Sequence, residues 1–190
     1  MQLERLSRPF DGAVYCHVPG DAELDPDLLP DGGEGDRWNH RDERTVYLAA
    51  DPGVAIAELA RHVAPRIGGG GIDQRIWEVR LRLRRVLDLN EPEVKRALRL
   101  RDELGWLLDR RRCREVASHV RSSDEVEAMI VPSAAFPDQT DRWSLVLFPE
   151  RVDRPLRDVI RDGREVGRVQ LAEEARPERR GRMGSAATRE

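Results

Sequence analysis

The run WEVRLRL, Trp77 to Leu83, alternates without a break: Trp77, Val79, Leu81 and Leu83 fall on one side, Glu78, Arg80 and Arg82 on the other. A period of two belongs to a strand; on a helix the same residues would scatter around the circumference. One face must be covered and the other wet, as in a sheet with a single buried side. Whatever else this chain forms, it forms a sheet with something apolar laid against it.

The rest of the chain supplies the partners. GAVYCHV (Gly12 to Val18) also alternates, with Val14, Cys16 and Val18 on one face and Ala13, Tyr15 and His17 on the other. TVYLAA is a second strand, with Val46, Leu48 and Ala50 opposite Tyr47. Asp51 then stands as an N-cap with Pro52 at the first helical position, which starts a helix there. Ile56, Leu59, Ala60 and Val63 are its expected apolar stripe, and Pro65 with Gly68 to Gly71 ends it. EPEVKRALRL and RRCREVASHV read as helices, the second with Cys113, Val116, Ala117 and Val120 along one side. EAMIVP is a buried strand stopped by Pro132, and WSLVLF is a last strand. The order β-β-α-β-α-α-β-β predicts an α+β fold, a single domain with a mixed, mainly antiparallel sheet flanked by helices. The domain is expected over residues 1–172, and residues 173–190, which lack apolar periodicity, as a disordered tail.

The formal net charge is −3, which gives no global pull toward nucleic acid or an anionic membrane. Lys95 is the sole lysine, so arginine-rich patches mean less here than in most chains. Cys16 and Cys113 lie far apart, and His17, His40, His62 and His119 form neither H-x-x-x-H nor HExxH. Neither a disulfide framework nor a metal site is expected. No basic-then-apolar leader opens the chain, and no apolar run approaches the about 18 residues of a membrane span. The expected location is the cytoplasm.

Among candidate motifs, the loop GDRWN (Gly35 to Asn39) is the least ordinary. An indole and a guanidinium side by side can hold a flat, anionic molecule, or the indole can simply anchor the loop. The other candidates have plain readings. The four-glycine run lacks a following Lys-Ser/Thr and reads as a hinge rather than a phosphate loop. Arg80 to Arg85 and Arg110 to Arg114 read as solvated faces rather than a nucleic-acid surface. Ser133 has no G-x-S-x-G elbow and reads as a turn serine. Glu58 reads as a solvent-facing helix carboxylate within reach of Arg61 or His62. Tyr47 fits sheet packing, and Cys16 fits a small core residue.

The ordered combination takes the reading further. Gly35-Asp36-Arg37-Trp38-Asn39, Tyr47-Leu48-Ala49, Glu58 on the following helix, and Pro132-Ser133-Ala134 near the end resemble the motifs of the RES-domain family, named for an Arg, a Glu and a Ser. The resemblance spans about Ala13 to Pro149. It implies an ADP-ribosyltransferase-like, NAD-binding fold and a toxin of a toxin–antitoxin pair. The implied activity is cleavage of the nicotinamide–ribose bond of NAD, by phosphorolysis with inorganic phosphate as second substrate or by hydrolysis. The alternatives are transfer of ADP-ribose to a protein, or a degenerate domain that binds NAD or a partner without turnover. The implied partner is an Xre-like antitoxin covering the cleft; the chain itself is expected to touch neither nucleic acid nor membrane directly, and a homo-oligomer is allowed.

By the same resemblance, Glu58 is the catalytic carboxylate that stabilises positive charge on the ribose. Arg37 is catalytic and holds the pyrophosphate or phosphate. Tyr47 offers its ring to the nicotinamide, and Ser133 hydrogen-bonds the ribose or the phosphate. Two positions depart from the family pattern. Cys16 stands where an Arg follows the aromatic residue of the first strand, and Asp36 replaces the second Gly of the loop. The missing charge is then expected from Arg37, Arg41 or Arg44, or the chemistry is weakened.

Overall fold

The structure, a computed structural model, describes residues 3–29, 35–63, 71–100, 105–123 and 125–171. In chain order the elements are β1 (Arg8–Pro19), β2 (Val46–Ala49), α1 (Pro52–Val63), β3 (Ile72–Asp88), α2 (Pro92–Ala97), α3 (Gly105–Leu108), α4 (Arg110–Arg121), β4 (Ala128–Pro132), β5 (Trp143–Leu147), α5 (Leu156–Val159) and β6 (Ile160–Leu171). The expected tail at 173–190 and the loop at 68–70 lie outside the described residues.

The alternating run is the centre of β3, where Val79, Leu81 and Leu83 are buried while Arg80 and Arg82 are exposed. Along one edge β3 pairs antiparallel with β1, placing Val79 opposite Val14 and Trp77 opposite Cys16. Its other edge changes partner. Ile72 to Leu81 face β6, antiparallel; Val86 to Asp88 face β4, the one parallel pairing in the sheet. β4 pairs with β5, β5 with β2, and β2 returns to β1 at Tyr15 opposite Ala49. Five strands therefore close on themselves, and β6 stays outside as an edge.

A buried carboxylate manages the change of partner. Between the β6 and β4 segments, the backbone N–H groups of Arg84 and Arg85 donate to Oε2 of Glu127, at 2.5 and 3.0 Å. Glu127 is 1% exposed, and Arg154 Nη1 meets its other oxygen at 3.3 Å. Without it, the two amide donors between the β6 and β4 segments would lose their acceptor, and proteins avoid leaving such donors unpaired.

The two faces of the ring carry separate cores. Inside lie Val14, Cys16, Val18, Val46, Leu48, Val79, Leu81, Leu145 and Leu147, capped by Leu156 and Val159 of α5. Outside, Met129, Val131, Val146 and Phe148 pack under Val94 of α2, Leu107 of α3, and Cys113, Val116, Ala117 and Val120 of α4. The predicted α4 stripe is thus buried as expected. The predicted α1 stripe is corrected: Val54, Ala55 and Leu59 are buried, whereas Ile56 and Ala60 are only partly covered. Helix α1 rests on Ala49 and Tyr15 through its first turn, so its contact stripe is rotated toward the N-terminal residues.

The expected order omits β6. Its residues RDGREVGRVQ are almost all exposed, so no apolar period marks it. It is held as a strand by its ladder to β3 and by pairs such as Arg164–Glu78 and Arg168–Asp73.

Candidate functional site

Strands β1 and β2 meet at the single pair Tyr15–Ala49, and a cleft lies where they part. It is lined by Tyr15, Cys16 and His17 of β1, Val46 to Ala49 of β2 and the loop Asp36 to Trp38. Ala55, Glu58, Leu59, Arg61 and His62 of α1, Val131, Pro132 and Ala134 at the end of β4, and Arg110 of α4 complete it. Helix α1 is set against this wall by its cap. Asp51 Oδ1 accepts from Val54 N at 3.0 Å, and both Asp51 oxygens accept from Arg142 Nη1 at 2.9 Å.

That anchoring turns Glu58 toward the loop after β4. Oε1 of Glu58 accepts from Ser133 Oγ at 2.6 Å and from Ala135 N at 3.0 Å. Ser133 is fully buried, and its own N–H donates to the Arg142 carbonyl at 2.9 Å. One carboxylate oxygen is thereby held by two donors, while Oε2 stays 3.8 Å from Arg61 Nε. Glu58 reaches Arg61, as its helical spacing allows, but it is also fixed by Ser133 and Ala135, and Ser133 is more than a turn serine.

The loop is organised by Asn39, which is fully buried. Its Oδ1 accepts from Tyr47 Oη at 2.7 Å and from Asp36 N at 3.2 Å, and its Nδ2 donates to the His40 carbonyl at 2.9 Å. Tyr47 Oη also accepts from Trp38 N at 3.3 Å. Burial raises the Tyr47 hydroxyl well above the usual tyrosine range, so it serves as a neutral donor at the cleft wall. Trp38 is 3% exposed and meets the Trp106 ring edge-on with centroids 6.0 Å apart. The indole therefore anchors the loop, and Arg37 is left half-buried at the cleft with Nη1 donating to the Leu107 carbonyl.

Asp36 lines the cleft with both carboxylate oxygens engaged. Its Oδ1 accepts from Arg37 N at 2.8 Å, and Oδ2 meets His62 Nδ1 at 3.2 Å. Burial pushes its carboxyl up, but the His62 contact, the Arg37 amide and the Arg110 charge together hold it below the usual range.

The floor is uncharged. Cys16 is 4% exposed, and burial pushes its thiol up to about 12, so it supplies no charge near neutrality. Burial lowers the His17 pKa despite the Gln74 Oε1 contact to its Nδ1 at 3.1 Å. Of the expected substitutes for the missing arginine, Arg37 lines the cleft, and the other two are corrected. Arg44 donates to the Asp27 carbonyl, and neither it nor Arg41 lines the cleft, whereas Arg61 and Arg110 do.

Arg110 to Arg114 is likewise more than a solvated face. Arg111 and Arg112 pair with Glu115, but Arg114 Nε donates to the Asp36 carbonyl at 2.9 Å and Arg110 borders the cleft. Helical spacing alone could have shown that Arg110 and Arg114 share a side; it could not show what that side meets. Among the described residues no group of three or more His, Cys, Asp or Glu is gathered to hold a metal ion. No helix among them is long and apolar enough to cross a membrane.

No curated protein sequence matches the chain. In fold it is similar to a chain from the crystal structure of the M. tuberculosis MbcT–MbcA toxin–antitoxin complex. The TM-score is 0.60 at 18% identity, covering 86% of this chain and 91% of that one. The RES domain model matches residues 9–170, a span that contains the cleft, the Arg37 loop, Glu58 and Ser133. The chain belongs to the RES-domain family.

Proposed function

We propose that this protein is the toxin of a toxin–antitoxin pair and cleaves the nicotinamide–ribose bond of NAD. The observation that carries the reading is the fixed position of Glu58: a carboxylate gripped by Ser133 Oγ and Ala135 N on the wall of a cleft that Arg37 and Tyr47 also line. As nicotinamide leaves as a neutral ring, C1′ of the ribose gains oxocarbenium character. A carboxylate already held in place stabilises that charge without reorganising. In phosphorolysis a phosphate oxygen bonds to C1′ as the bond to nicotinamide breaks; in hydrolysis a water oxygen does so and releases a proton. Arg37 binds the diphosphate or the incoming phosphate, and the Tyr47 ring faces the nicotinamide. Ser133, whose hydroxyl is committed to Glu58, acts in this scheme as a positioning residue.

The experiment is incubation of purified protein with NAD, with and without inorganic phosphate, and resolution of the products by mass. Nicotinamide together with an ADP-ribose phosphate is the expected outcome. Nicotinamide with free ADP-ribose assigns a hydrolase, and label appearing on protein assigns an ADP-ribosyltransferase. No nicotinamide under any condition overturns the enzyme reading and leaves the second one, a binding domain without turnover, which the uncharged Cys16 favours. The antitoxin is proposed as an Xre-like protein, supported by the toxin–antitoxin complex to which the fold is similar. Growth arrest on expression, relieved by co-expressing the neighbouring gene, is the expected result.

A further inference from the structure

The charged groups around the cleft are unevenly placed. Three arginines line it, Arg37, Arg61 and Arg110, against two carboxylates, Glu58 and Asp36. Both carboxylates are already occupied: Glu58 by Ser133 and Ala135, Asp36 by the Arg37 amide and His62. In a chain of net charge −3, this one concavity carries a cationic excess. Its floor has no charge to oppose that excess.

The three arginines are not equivalent. Arg37 is half-buried and tethered to the Leu107 carbonyl, so it lies inward. Arg61 and Arg110 are exposed and come from different elements, α1 and the first residue of α4. Some exposed arginines close tightly onto carboxylates, as Arg80 does onto Asp11 and Arg84 onto Asp153, at 2.8 and 2.7 Å, while others stand farther off, as Arg82 does at 4.0 Å from Asp11. Arg61 has only a 3.8 Å approach to Glu58. Arg110 forms no ion pair with a described residue and acts on Asp36 only through its field. Helix α4 also holds the Arg37 loop in place, through Arg114 Nε on the Asp36 carbonyl. Arg110 is therefore carried by the same rigid element that sets Arg37.

We infer that Arg61 and Arg110 form an outer anion subsite at the cleft mouth, which takes the second phosphoryl group of a diphosphate-linked ligand while Arg37 takes the first. Two phosphoryl groups joined by one bridging oxygen need cations at two depths, and guanidinium groups suit phosphate oxygens through paired donors. The ligand class follows from the proposed function. The subsite itself is tested by binding, not by turnover.

The test is calorimetric titration of the full chain with ADP-ribose, carrying two phosphoryl groups, and with ribose 5-phosphate, carrying one. Wild type, R110A, R61Q and the double variant are compared. The expected result is an ADP-ribose affinity about tenfold lower in the double variant, with ribose 5-phosphate affinity changed less than about threefold. Raising the salt concentration should shrink the difference, since these are exposed charges. Equal weakening for both ligands, or no weakening for either, overturns the subsite. Failure of wild type to bind ADP-ribose overturns it as well. Wild-type ADP-ribose binding with the expected double-variant loss, but without NAD cleavage, supports the subsite and overturns only the catalytic reading.

Discussion

Ser133 and Glu58 lie 75 positions apart in the chain and share a hydrogen bond of 2.6 Å, Oγ to Oε1. The Ala135 amide reaches the same oxygen at 3.0 Å. The two side chains are therefore joined, with Glu58 on the cleft wall.

Removing each member should separate the roles. Glu58→Gln keeps the shape but loses the charge, and should lower kcat for NAD cleavage by about two orders of magnitude or more. Ser133→Ala leaves the Ala135 amide in place and should lower kcat by about tenfold with little change in KM. Steady-state kinetics on both variants decides. A Ser133→Ala effect confined to KM would place the hydroxyl on the ligand instead.

The cysteines should be silent in the folded protein. Burial pushes Cys16 to about 12 and Cys113 to about 11, so the thiolate that reacts is nearly absent near neutral pH. A chromogenic disulfide reagent should titrate neither thiol within minutes and both after unfolding in urea. Cys16→Arg should destabilise the protein by several kcal/mol, because position 16 lies among Val14, Val18 and Leu48 in the inner core.

Glu127 tests the change of partner along β3. Glu127→Ala leaves the Arg84 and Arg85 amides without their acceptor and should cost about 3–5 kcal/mol. Glu127→Gln retains an acceptor oxygen and should cost distinctly less. Urea unfolding midpoints of the two variants give the comparison.

His17 should make stability depend on pH in one direction. Burial holds its pKa below the ordinary 6.5, so between the two values the unfolded chain binds a proton that the folded chain refuses. Its contribution is complete above about 6.5 and is lost as pH falls through that value toward the folded pKa. Wild type should therefore lose more stability than His17→Gln between about pH 7.5 and about pH 5.5. Parallel losses in the two proteins would assign the pH dependence to other groups.

The faces of single elements were legible in the sequence because periodicity is local. The β3 alternation, the Asp51 cap and the Cys113 to Val120 stripe need only near neighbours to declare themselves. Where both faces of a strand are wet, as in β6, there is no apolar period to read, and pairing with β3 decides. The first-turn contacts of α1 escaped for a related reason: its Ile56, Leu59, Ala60, Val63 period was real, but Ala49 and Tyr15 lie under Val54 and Ala55.

The site divides in the same way. By itself the sequence determined which residue types stand in which order, and hence the resemblance to the family and the candidates Arg37, Tyr47, Glu58 and Ser133. Only the tertiary structure decided that Glu58 faces a cleft, that Ser133 spends its hydroxyl on Glu58, and that Arg61 and Arg110, rather than Arg41 and Arg44, border the site. A carboxylate on a helix is solvent-facing or site-facing according to what the distant β4–β5 loop places beside it, and the same holds for a guanidinium on α4. Those neighbours come from far along the chain, and no local period reports them.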